Sequence, residues 1–141
     1  MLQKAIQKYN AATHLLEITL PLTKDPKILI GIIHNIFKSI QILIDLLLEQ
    51  NNIKVTSSQA KIAFLSQILK DNNQPKDTLK NIEEMKEILE LHEKCPTEFS
   101  RKDKFYLANK DFRIKPVTIS DTKKYLKINQ NLISLIKNRK E

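Results

Sequence analysis

The sequence predicts an all-α fold, an antiparallel bundle of four or five helices in a single domain spanning residues 1–141. Three observations carry that expectation. Apolar residues recur at three- and four-residue steps in five successive stretches, each time marking one face of a helix. Most of these stretches are parted by short segments containing Asn, Asp or Pro. The chain also holds a single glycine, where average usage gives about ten. Many-turn β-sandwiches and glycine-rich phosphate loops are therefore poor fits.

The first helix covers about residues 2–19, with Leu2, Ile6, Tyr9, Ala12, Leu16 and Leu20 along one face. Pro21 is expected to end it, because a proline drives the residue before it out of the helical region. Asp25-Pro26 starts the second helix, Asp as cap for free amides and Pro at the first helical position. From Leu29 and Ile32 through Ile36, Ile40, Leu43 and Leu47, its apolar face is broad enough for a central helix with several neighbours. Ile28 to Leu48 is long enough to cross a membrane. His34, Asn35, Lys38, Gln41 and Asp45 nevertheless interrupt it at helical spacing, a polar stripe that lipid penalises. Gly31 is read as a point of close helix packing, and Gln50-Asn51-Asn52 closes the helix.

Thr56-Ser57-Ser58-Gln59 reads as a capping box for the third helix, with Ile62, Leu65, Ile68 and Leu69 inward. The fourth follows the loop at 71–75 and runs to about Lys94. Leu79, Ile82, Met85, Leu89 and His92 share one face; Glu83, Glu84, Glu87, Glu90 and Glu93 interleave with Lys80, Lys86 and Lys94 elsewhere. Between Pro96 and Pro116 the helical period is lost. Residues 105–107 and 112–114 form either a short hairpin turning on Asn109 and Asp111 or an extended loop over the bundle end, within an irregular segment of about 96–119. Ser120-Asp121 caps the last helix, whose Tyr125, Leu126, Asn129, Ile133 and Ile136 face inward.

Catalytic and metal chemistry find little support in these residues. His14, His34 and His92 are each alone on their turn, with no second His or Cys one turn away, so no metal or cofactor is expected. Cys95 stands alone, which leaves no intramolecular disulfide, and at a helix C-terminal end the dipole disfavours a thiolate. The carboxylates of the fourth helix are interleaved with lysines on a solvated face, which does not separate two carboxyl pKa values for acid–base work. An enzymatic reading would need His92, Glu98 and Arg101 to converge in a pocket. With no short apolar leader at Met1-Leu2-Gln3-Lys4, the expected location is the cytoplasm.

Charge is unevenly placed. Residues 1–95 carry 12 basic and 11 acidic side chains, whereas residues 96–141 carry 12 basic and 5 acidic, so nearly all of the formal +8 lies in the last third. Two of the three arginines, Arg101 and Arg113, and three of the five phenylalanines fall within residues 99–113. Arginine forks match phosphate oxygens, lysines supply salt-dependent attraction, and aromatic rings stack on unpaired bases. Arg101, Lys102, Lys104, Phe105, Tyr106, Lys110, Arg113 and Lys115 are thus the candidate nucleic-acid-binding residues, assisted by the lysines of the last helix.

Thr19-Leu20-Pro21-Leu22-Thr23-Lys24-Asp25-Pro26-Lys27-Ile28-Leu29 and Pro96-Thr97-Glu98-Phe99-Ser100-Arg101-Lys102-Asp103-Lys104-Phe105, taken together, resemble signatures in a family of small archaeal all-helical proteins without an assigned activity. In shape, a short bundle of this length is similar to HEPN-type domains, many of which act on RNA. Catalytic members of that superfamily carry an Arg with a His shortly after it. No His follows Arg101, Arg113 or Arg139 here, so the resemblance implies a non-catalytic relative. The expected function is a non-enzymatic module that binds an anionic partner, RNA above all. The alternative is a protein-interaction or homo-oligomerisation bundle.

Overall fold

A computed structural model describes residues 1–54, 57–94, 97–101, 104–108 and 114–139, the side chains of Thr97, Phe99 and Arg139 excepted. Helices α1 (Leu2–His14) and α2 (Leu20–Thr23) are joined without a break by a π-helical turn, Leu15–Thr19. Then come α3 (Ile28–Gln50), α4 (Ser58–Asp71) and α5 (Thr78–Lys94), followed by strands β1 (Thr97–Arg101), β2 (Lys104–Ala108) and β3 (Ile114–Val117), and finally α6 (Ile119–Arg139). The all-α expectation holds for the bulk of the chain and is corrected between α5 and α6, where a small three-stranded antiparallel sheet stands in the order β1-β2-β3.

Helix α3 is the centre. Ten of its residues are buried, including Leu29, Ile32, Ile33, Ile36, Ile40, Leu43 and Leu47, and α1, α4, α5 and α6 all pack against it. By length and apolar composition it could cross a membrane. Here it lies among other helices, with His34, Lys38, Gln41 and Asp45 on its exposed stripe. One apolar cluster draws on all the helices and on Phe105, Leu107 and Val117 of the sheet. Ala5 and Ala12 of α1 are wholly buried; side chains that small let two helix backbones approach closely. At that contact the Ser39 hydroxyl donates to the Ala5 carbonyl at 2.7 Å, and the Asn129 amide donates to Ser39 Oγ at 2.9 Å. A buried polar chain therefore links α6, α3 and α1.

Pro21 does not end the first helix. The Leu20 N–H bonds to the Leu15 carbonyl, five residues back, so the turn before the proline is one residue wider than an α-turn. A proline inside an α-helix clashes with the carbonyl four residues earlier and lacks an N–H. The widened turn relieves both demands, and the helix stops instead at Lys24, in the left-handed region at φ 54°. The next start also moves: α3 begins at Ile28 with Lys27 at the cap position and no side-chain cap. Asp25 Oδ1 accepts from the Lys27 N–H at 3.0 Å in the turn that leads into it, and Pro26 precedes the helix. Asn51 and Asn52 close α3, Asn52 at φ 58°.

Other expected boundaries move by a residue or two. Ser57 is the cap of α4, accepting from the Ala60 N–H at 3.4 Å, and Thr56 lies outside the described residues. Thr118, not Ser120, caps α6. Its hydroxyl accepts from the Asp121 N–H at 3.2 Å while Asp121 Oδ2 accepts from the Thr118 N–H at 3.1 Å, a reciprocal capping box. Ile62, expected inward, is 44% exposed, because α4 buries Leu65, Ile68 and Leu69, all on its C-terminal half. On α5, Ile88 is buried where His92 was expected, and His92 is exposed. Cys95 lies outside the described residues.

Candidate functional site

The sheet sets the geometry of the basic segment. In β1 and β2 the register pairs Arg101 with Lys104, Ser100 with Phe105, Phe99 with Tyr106 and Glu98 with Leu107. In β2 and β3 it pairs Phe105 with Val117, Tyr106 with Pro116 and Leu107 with Lys115. Successive residues of a strand alternate between faces, and paired residues share one. Arg101, Lys104 and Tyr106 therefore belong to one face. Phe105, Leu107, Lys115 and Val117 belong to the other, and that face is the buried one.

This alternation divides the candidate set. Arg101 and Lys104 are exposed and stand opposite each other where β1 passes to β2; Tyr106, next along that face, is half-buried. Phe105 is 1% exposed and belongs to the apolar core, so it is not a stacking platform. Lys115 is half-buried on the core-side face, at its margin. Lys102, Lys110 and Arg113 lie outside the described residues, as do Phe112 and the expected turn residues Asn109 and Asp111.

His92 and Glu98 do meet: His92 Nδ1 stands 2.5 Å from Glu98 Oε1, tying β1 to the last turn of α5. Arg101 belongs to the opposite face of the strand from Glu98, so the three do not converge. Among the described residues no group of three or more His, Cys, Asp or Glu is placed to hold a metal ion.

Among the described side chains of α6 the exposed cations are Lys123, Lys124, Lys127 and Lys137. Lys124 is engaged, at 3.8 Å from Glu84 Oε1 and 5.3 Å from the centre of the Tyr125 ring. Tyr125 is fully buried and its hydroxyl donates to Glu84 Oε1. Burial, with the Glu84 carboxylate as hydrogen-bond acceptor and negative charge beside it, pushes the Tyr125 phenol far above its ordinary range.

Sequence reasoning missed one concave feature. A groove of about 1000 Å³ runs between the segment Leu16–Lys24 and helix α6. One wall presents Leu16, Glu17, Leu20, Pro21 and Lys24, the other Ile119, Lys123, Leu126, Lys127 and Gln130, with Tyr9 and Pro26 completing it. The signal available in the sequence was the spacing of Ile119, Lys123, Leu126, Lys127 and Gln130, a stripe whose lysines flank apolar residues. Compared with protein-family models, with curated proteins and with solved structures, the chain matches none.

Proposed function

We propose that the protein is a non-enzymatic cytoplasmic module that binds RNA, through the outer face of its sheet and the basic helix α6. The observation that carries this reading is the register that sets Arg101 directly across from Lys104 on the exposed face of the sheet, with Tyr106 on the same face. A guanidinium beside an ammonium recognises phosphate by geometry as well as charge, and a sheet face bearing an aromatic ring is a common platform for unpaired bases. The +7 balance of residues 96–141 supplies the long-range attraction.

The test is a fluorescence-anisotropy titration with single-stranded RNA, structured RNA and duplex DNA at low and physiological salt. Wild type is compared with Arg101→Ala/Lys104→Ala, and circular dichroism checks that the variant stays folded. Single-stranded RNA is expected to bind in a salt-sensitive manner and to lose about tenfold in affinity in the variant. No binding by wild type even at low salt would sink the reading.

A further inference from the structure

The groove between Leu16–Lys24 and α6 is separate from the sheet face and has its own chemistry. Its stripe on α6, from Ile119 to Gln130, spans about 16 Å, or roughly three helical turns. The facing wall is also helical, so the groove has the shape of the seat that two neighbouring helices offer to a third. Its apolar lining comes from the edges of the largely buried Leu16, Leu20 and Leu126 and from the exposed Pro21, and its charged lining is mostly cationic. Lys123 and Lys127 stand one turn apart on one wall and Lys24 on the other, against the single carboxylate of Glu17. Among the described residues none of these three lysines takes part in an ion pair, whereas Lys61 and Lys124 do.

We infer that this groove docks an acidic amphipathic helix of a protein partner. An apolar stripe on the incoming helix covers the leucines and prolines, and carboxylates one turn apart on its flank meet Lys123 and Lys127. The other occupants fit less well. A fatty carboxylate has one charged head and leaves two of three lysines unmatched. An RNA strand matches the lysines and leaves an apolar lining facing a polar backbone. A second copy of this chain would have to present its own acidic helix, α5, but Ile82, Met85 and Ile88 of that helix are already committed to the core.

The full-length protein, labelled with ¹⁵N, is titrated with a model helical peptide of about 18 residues carrying leucines at one-turn spacing flanked by glutamates. Parallel titrations use the same peptide with lysines in place of glutamates, polyuridylate, and dodecanoate. Expected are saturable shifts of the backbone amides of Leu20, Lys24, Ile119, Lys123 and Lys127 with the acidic peptide. The reversal of two exposed charges, Lys123→Glu/Lys127→Glu, with its fold checked by circular dichroism, should weaken that binding about tenfold and allow the lysine peptide to bind instead. Arg101→Ala/Lys104→Ala should leave it unchanged, which separates this site from the sheet-face part of the RNA reading; α6 is common to both. The inference is overturned if the acidic peptide leaves those amides unmoved, or if dodecanoate or polyuridylate moves them in its place. It is equally overturned if sedimentation shows a dimer that the double reversal dissolves.

Discussion

Gly31 lies inside the central helix with an ordinary negative φ, and a Cβ built there would meet only Leu15 Cδ1, at 3.8 Å. That is a normal van der Waals contact, so the position does not need glycine for close packing, contrary to its sequence reading. Gly31→Ala should raise stability by about 1 kcal/mol through the helix preference of alanine, seen as a higher urea midpoint with an unchanged slope. Phe105 points the other way. Its ring is part of the core beside Leu107 and Val117, and Phe105→Ala should cost about 3–5 kcal/mol in the same measurement. Asn129 shows a third case: its amide nitrogen donates to Ser39 Oγ, while its Oδ1, buried, has no protein partner. That it points inward was legible from helical spacing. Its polar partner Ser39, 90 residues away in sequence, was not.

Among elements, the joint between α5 and α6 lends itself to a direct test. Tyr125 of α6 donates to Glu84 of α5, and its phenol is held above the ordinary value of 10.0 in the folded protein only. Above that pH the unfolded chain releases a proton that the folded chain keeps, so stability contributed by this contact is present below pH 10.0 and is lost as pH rises. Tyr125→Phe should cost about 1–3 kcal/mol near neutrality and flatten the alkaline fall of stability, as read from denaturant midpoints across pH. The same scale shows how local signals were shifted. Thr118 outcompeted Ser120 as cap because only Thr118 has an acidic residue three positions on to return the hydrogen bond. Pro21 failed as a stop because a π-turn widened the helix ahead of it. Strand β1 carried no turn signal of its own: the two residues between Arg101 and Lys104 are Lys and Asp, not the Asn-Gly type that marks a tight hairpin.

For the molecule as a whole, charge and burial are segregated. The acidic residues of α5 belong to a near-neutral first part, and the positive balance gathers on the sheet and α6. If the exposed Arg101–Lys104 pair contacts two phosphates of a single strand, removing both side chains should lower the slope of log affinity against log salt by about 1.4. Titrations at a series of salt concentrations read that slope directly; an unchanged slope would place the phosphate contacts elsewhere.

Helix content, the central place of α3 and the inward faces of α3 and α6 were determined by the sequence alone, because helical periodicity and caps are local and a broad apolar face has one stable location. Tertiary structure decided the rest. Whether a basic-aromatic segment forms one patch or two faces depends on strand register, which is set by partners rather than by neighbours in sequence. The eight candidate residues were therefore read as a single surface, although pleating sends Arg101 and Lys104 to one face and Phe105 and Lys115 to the other. The groove depends in the same way on two segments about a hundred residues apart lying side by side, an arrangement that no periodicity within either one specifies.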